Sequence, residues 1–135
     1  MSYLLDTNVV SEIRKPRADS RVVAWFGGVD GAELFLSVLV VGEIRQGIER
    51  LRSRDAERAS QLDAWLAKLK QDYGERVLMV SIEVAEEWGR LNAVRSLPVI
   101  DGLLAATASV HGLTLVTRNV SDLRGTGVAL LDPFA

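Results

Sequence analysis

Four acidic residues stand where solvation alone does not account for them. Asp6 directly follows the apolar run Tyr3-Leu4-Leu5, and Glu43 falls on a helical stripe that is otherwise Val40, Ile44, Gly47, Ile48 and Leu51. Asp101 opens a helix of small residues, LLAATASVHG, and Asp122 lies just beyond the strand Leu113 to Thr117. A carboxylate beside a buried strand needs a cation, a hydrogen-bond donor or water. Each residue also has an ordinary reading. Asp6 could cap the helix that starts at Thr7, worth about 1 kcal/mol. Glu43 could be a boundary residue paired with Arg45 or Arg50, and Asp101 gains about 0.3–1 kcal/mol simply from the dipole of its first helical turn. The four lie far apart in the chain, so only the fold can gather them. If it does, carboxylates about 4 Å apart repel by roughly 4 kcal/mol at an effective dielectric near 20, and the group requires a cation. Mg²⁺ takes a few carboxylates and keeps waters for a substrate phosphate. The chemistry open to such a site is hydrolysis of a phosphodiester by in-line attack of an activated water.

The composition agrees with an oxygen-donor site. There is no cysteine, and the one histidine, His111, ends a helix next to Gly112, so a metal would be held by oxygen as Mg²⁺ or Mn²⁺. The net charge of −2 and pI near 5.4 exclude a general nucleic-acid coat, which reads as a basic domain. They leave room for a nuclease, because arginine is clustered at Arg14-Lys15-Pro16-Arg17 with Arg21, and again at Arg45, Arg50, Arg52 and Arg54. Most of these read as solvated helix faces. With 135 residues, 48% hydrophobic and 25% charged, the chain reads as one globular domain, residues 1–135. No apolar run approaches the ~20 residues of a membrane span, so a soluble cytoplasmic protein with no membrane partner is expected.

The elements that must position the carboxylates alternate. A first strand, Tyr3 to Leu5, leads to a helix from Thr7 to Lys15, stopped by Pro16; a second helix begins at Asp19 or Ser20 and stops at Gly27-Gly28. Glu33 to Ser37 reads as a strand and Ser37 as the cap of a helix reaching Leu51. Gly42 and Gly47 in that helix suggest a close approach to its backbone. A long amphipathic helix, Asp55 to Tyr73, turns Leu62, Trp65, Leu66 and Leu69 inward. Strand Val77 to Val80, helix Ile82 to Leu97 before Pro98, strand Leu113 to Thr117 and an edge strand Val128 to Leu131 complete the series, with Arg118 to Asp122 leaving the fourth strand. The alternation predicts an α/β domain with a mostly parallel, short-stranded sheet, whose ligands bind outside the carboxyl ends of the strands.

The segments bearing the carboxylates also carry a resemblance. Leu5-Asp6-Thr7-Asn8 with Val9-Val10-Ser11-Glu12, Val41-Gly42-Glu43-Ile44, Asp101-Gly102-Leu103-Leu104-Ala105-Ala106-Thr107-Ala108, and Leu115-Val116-Thr117-Arg118-Asn119 with Asp122 resemble the successive motifs of PIN domains. The similarity spans nearly the whole chain and is strongest to the VapC and FitB-like branch, the toxin half of bacterial type II toxin–antitoxin pairs. It implies a three-layer α/β/α fold, a metal-dependent endoribonuclease, a homodimer, and inhibition by a small antitoxin.

Residue by residue, the resemblance makes Asp6 and Asp101 direct ligands of Mg²⁺ or Mn²⁺. Glu43 becomes a ligand or acts through water, and Asp122 acts through water or a second ion. Thr7, Asn8, Thr117 and Asn119 match the polar residues around such a site, where they orient carboxylates or water, or make turn and cap hydrogen bonds. Arg14, Lys15, Arg17 and Arg118 are the candidates for the RNA backbone. Gly102 departs from the bulkier residue of many relatives. A different class of function fits the same residues: a non-catalytic co-repressor whose acidic cleft grips an antitoxin arginine, touching DNA only through that partner. A stand-alone DNA nuclease is less well supported, since no segment suggests a DNA-threading arch.

Overall fold

Strands and helices alternate throughout the chain, and the computed structural model describes residues 1–135. Strands β1 (Tyr3–Leu5), β2 (Leu34–Ser37), β3 (Val77–Leu78), β4 (Thr114–Val116) and β5 (Leu130–Leu131) form one parallel sheet in the order β3-β2-β1-β4-β5. In the centre, Leu4 is in register with Phe35 on one side and Leu115 on the other. A parallel strand covered on both faces must be apolar at consecutive positions. Leu4, Leu5, Leu115 and Val116 meet that condition and are almost wholly buried.

The chain runs from β1 through α1 (Thr7–Ile13) and α2 (Ser20–Gly27) to β2, then through α3 (Val38–Arg52) and α4 (Ala56–Tyr73) to β3. It returns across the sheet by α5 (Ile82–Val94) and α6 (Val99–His111) to β4, and reaches β5 after the short α7 (Val120–Leu123). Right-handed crossovers place α1 to α4 over one face and α5 to α7 over the other, giving the three layers α/β/α. The direction of winding reverses between β1 and β4. That reversal opens a crevice at the carboxyl ends of two adjacent strands.

Local chemistry explains most boundaries. The Asp19, Ser37, Asp55 and Ser81 side chains cap α2, α3, α4 and α5, and Gly112 closes α6 at φ 65°, a left-handed conformation that favours glycine. Helix α1 stops at Ile13, two residues before the expected end, and a Glu12 oxygen accepts the Asp19 N–H (2.9 Å) to close the following turn. Helix α5 stops at Val94 rather than Leu97, where the Asn92 side chain accepts the Leu97 N–H (3.0 Å) ahead of Pro98. Strand β1 has the expected bounds, the other strands are shorter than the runs that mark them, and a 3₁₀ turn at Gly31–Glu33 delays β2 to Leu34. Within the Arg118 to Asp122 segment, expected as a plain strand exit, α7 begins at Val120. The close approach expected at Gly42 and Gly47 is absent, with no atom within 4 Å of where either Cβ would stand. No single helix is long and apolar enough to cross a membrane.

Candidate active site

Asp6 emerges from β1 with its backbone N–H still bonded to the Val116 carbonyl (2.9 Å), so the sheet itself fixes its Cα. Asp6 as a whole is 5% exposed. One oxygen, Oδ1, accepts the Thr7 N–H (2.7 Å) and caps α1, while Oδ2 accepts the Thr117 hydroxyl (2.7 Å) and more weakly the Asn8 amide (3.4 Å). Capping and a place in the crevice are therefore compatible, one oxygen for each. Thr117 is wholly buried at the end of β4, and its Oγ1 accepts the Asn119 N–H (3.0 Å). The Asn8 Oδ1 accepts the Arg118 N–H (3.3 Å). Three of the four predicted polar residues use their side chains in this network; Asn119 enters it through its backbone. Together they tie the exit of β1 to the exit of β4.

Glu43, on α3, accepts the Thr7 hydroxyl (2.6 Å), so Thr7 touches Asp6 with its N–H and Glu43 with its side chain. The pairing of Glu43 with Arg45 or Arg50 does not occur, because Arg45 is engaged by Glu49 and Asp63. Asp101 sits in the first turn of α6, half-buried, with no side-chain hydrogen bond or ion pair. Burial raises its pKa above the ordinary carboxylate value, and the charges of Asp6, Glu43 and Asp122 raise it further in that order. Burial likewise raises Asp6 against the opposing hydrogen bonds from Thr117 and Thr7, with Glu43 adding to the rise. Asp122, on α7, is exposed and is the weakest of the three influences on Asp101. No lysine, arginine or histidine lies within ion-pairing distance of any of the four carboxylates.

The donor chemistry fits a hard divalent cation: every candidate ligand is oxygen, and the negative charge has no internal counter-charge. As the side chains stand, no three acidic or histidine groups meet closely enough to hold one ion. Closing the set requires rotamer changes. These are open to the unbonded Asp101 and the exposed Asp122, whereas Asp6 is held by its donors. His111 is exposed at the last position of α6 and takes no part.

The predicted phosphate contacts divide. Arg118 lies beside the crevice with its guanidinium 3.7 Å from the centroid of the Phe134 ring, and Arg14 is half-buried, 5.7 Å from that of Trp65. Lys15 is turned to Glu12 (3.0 Å), and Arg17 is exposed without a side-chain partner. Two features were not legible in the sequence. Glu12 is a buried carboxylate that pins a turn, and Gly102 lets α5 approach α6, since a Cβ there would stand 3.1 Å from Cδ1 and Nε1 of Trp88. The departure at Gly102 is thus matched by a bulky neighbour one residue from Asp101. A tryptophan in α5 facing a glycine in α6 is a hint visible only once those helices are known to pack.

A three-layer α/β/α domain with uncompensated carboxylates around its topological switch point defines a class of small domains with an oxygen-donor site at the carboxyl edge of a parallel sheet. Within that class the chain belongs to the PIN domain family, which matches residues 3–124. It is 30% identical over 138 residues to the toxin FitB of Neisseria gonorrhoeae, with 97% of each chain covered. It is also 30% identical to the VapC ribonuclease Y4jK of Sinorhizobium fredii, covering 97% of this chain and 96% of that one. The solved structure of FitAB bound to an IR36 DNA fragment contains a chain that superposes with a TM-score of 0.90 at 28% identity, over 98% of this chain and 96% of that one.

Proposed function

We propose that the protein is a metal-dependent endoribonuclease, the toxin of a type II toxin–antitoxin pair, hydrolysing RNA phosphodiester bonds at Asp6, Glu43, Asp101 and Asp122. The observation that supports this most directly is that four remote carboxylates surround one crevice without any cationic side chain to balance them. The similarity to a VapC ribonuclease supports RNA as the substrate. Asp6 and Asp101 are the ligands that would hold Mg²⁺ or Mn²⁺, with Glu43 and Asp122 as further ligands or acting through water. The ion, when bound, supplies Lewis acidity that lowers the pKa of a water and offsets charge on the scissile phosphate.

The protein's own residues orient the site. Thr117 and Thr7 hold the two oxygens of Asp6 in a fixed plane, and the Thr7 hydroxyl sets Glu43 on the same side of α1. Burial and the charges of neighbouring carboxylates raise the proton affinity of Asp6 and Asp101, and with no internal ion pair these two residues would favour a bound cation. Arg118, at the rim, is placed to meet a phosphate.

A cognate antitoxin, a homodimeric assembly and a cytoplasmic location complete this reading, with DNA reached only through the antitoxin. The DNA-bound FitAB structure supports such a complex. An unneutralised acidic crevice would also accept a guanidinium from that antitoxin, which would act as anchor and inhibitor together. The deciding experiment is cleavage of structured RNA by purified, antitoxin-free protein. Cutting is expected with added Mg²⁺ or Mn²⁺, arrest with a chelator, and none by the Asp6→Asn, Asp101→Asn double variant. Undiminished cutting by that variant would remove the site from the mechanism. A wild-type protein that never cuts but binds its antitoxin through the crevice would favour a purely repressive role.

A further inference from the structure

Beside Thr7 and Glu43, a groove of about 260 Å³ runs between α1, α3 and α4, and Asp101 is not among its walls. Its walls include Arg14, Arg54, Arg58 and Trp65, and Thr7 and Glu43 form the end nearest the carboxylates. A second open depression shares Arg14, Arg58 and Trp65 and extends the track to Pro16 and Gln61. The groove is thus continuous with the acidic crevice at one end and with solvent at the other.

Apart from Glu43 at its end, the charges in the groove are the opposite of those in the crevice, and they too are unmatched. Arg45 and Arg52, on the same α3, are each locked to Glu49 and Asp63. Arg14, Arg54 and Arg58 have no carboxylate within 4.0 Å. Arg14 is half-buried and repelled by Arg58, a cost that an anion in the groove would relieve. Arg14 also leans towards the Trp65 ring, which leaves an aromatic wall beside the cations. Arginines spaced along a groove with an aromatic wall are the combination that holds a single nucleic-acid strand, phosphates on the cations and a base on the ring.

We infer that the Arg14, Arg54, Arg58 and Trp65 groove is the track for single-stranded RNA flanking the scissile bond, holding phosphates at the arginines and a base against Trp65. This rests on the nuclease reading for its substrate class. It adds three residues, Arg54, Arg58 and Trp65, that are not among the sequence candidates, and it leaves Lys15, already paired with Glu12, outside the track.

The test is fluorescence anisotropy with a labelled single-stranded RNA of about 12 nucleotides, in chelator so that nothing is cut. Arg54 and Arg58 are exposed, so the double variant Arg54→Gln, Arg58→Gln leaves the core untouched. It is expected to weaken RNA binding at least tenfold and to flatten the slope of log affinity against log salt by about 1.4, for two lost phosphate contacts. Arg90→Gln, on the opposite face of the sheet, is expected to change neither. Trp65→Phe is expected to remove the part of the tryptophan quenching that RNA produces. Wild-type affinity and salt slope in the double variant would overturn the proposal, including the case where that variant loses only its affinity for a poly-glutamate peptide, which would assign the groove to an acidic protein segment. Failure of the two readings is separable. A wild-type protein that cuts RNA while the double variant binds it normally refutes the track alone; one that binds RNA through these arginines but never cuts refutes the nuclease alone.

Discussion

Replacing Asp101 by asparagine separates a metal-site carboxylate from a helix-capping one by the sign of its effect. Asp101 makes no hydrogen bond and no ion pair, so the substitution removes charge and little else. If the residue served only its first helical turn, neutralisation would cost about 0.3–1 kcal/mol. Against that stands the repulsion from Asp6, Glu43 and Asp122. One unit charge about 8 Å away at an effective dielectric near 20 contributes roughly 2 kcal/mol, and solvent at this half-exposed position reduces it. The net expectation is a gain of about 1 kcal/mol in metal-free protein at pH 7, a rise in melting temperature of about 3 °C for a chain of this size. The pH dependence fixes the cause. Folding raises the pKa of Asp101, so the wild-type penalty exists where the group is ionised. It fades as pH falls through the raised value and is gone below the ordinary 3.8, where both states are protonated. Denaturation curves for both proteins in chelator, from pH 3 to 8, measure the difference, and a Mn²⁺ titration of melting temperature follows. The wild type should be stabilised by the ion and the variant much less. A variant less stable than wild type at pH 7, with an unchanged metal response, would refute the shared-site argument.

Glu12 should behave in the opposite sense. The Asp19 N–H and Lys15 lower its pKa below 4.5, so its stabilisation is present at neutral pH and lost as pH falls through the folded value. The stability gap between wild type and Glu12→Gln should therefore close in acid, as urea curves at pH 7 and pH 3 would show. Thr117→Val removes the donor to Asp6 and strands the Asn119 N–H; a loss of about 1–3 kcal/mol and weaker Mn²⁺ binding are expected by denaturation and metal titration. Thr117→Ser should restore both. Gly102→Ala gains up to about 1 kcal/mol of helix propensity but drives a methyl against Trp88, at a cost of about 1–3 kcal/mol. A net loss is expected, and Trp88→Phe in the same chain should recover part of it, a coupling that a double-mutant cycle measures directly.

How much of this was legible in the sequence follows from how local each cause is. Capping, strand apolarity and proline stops act over a few residues, and they marked six of the seven helices and all five strands to within a few positions. The role of Asp6 needed one further fact, that β4 lies beside β1, because Thr117 approaches from the far end of the chain. Glu43 broke an apolar stripe, which a window of one helix reveals, but its partner Thr7 belongs to another element. Helix α7 hid in a segment too short for any periodicity. The Gly42 and Gly47 reading failed for a related reason: glycine in a helix signals close approach only when another element is there to approach, and none is. The Trp88 contact at Gly102 is the same signal with an element present.

The two unmatched charge clusters bear on one another. Glu43 and Arg14 border the same groove, and an ion pair between them would relieve both. It does not form. Glu43 is turned to the Thr7 hydroxyl, and Thr7 is itself fixed through its N–H to Asp6, so α1 holds the acid on one side of the boundary. Arg14, the residue that ends α1, points along the groove towards Trp65. A short, rigid helix of seven residues thus keeps opposite charges adjacent without letting them neutralise. A ligand of either sign alone would satisfy half of the arrangement. A polyanion whose phosphates continue from the arginines to a cation among the carboxylates satisfies both, and it predicts that Thr7→Val, by releasing Glu43 towards Arg14, should weaken metal binding and RNA binding together, each measurable by titration on the same purified protein. Loss of only one of the two would show that the clusters act independently.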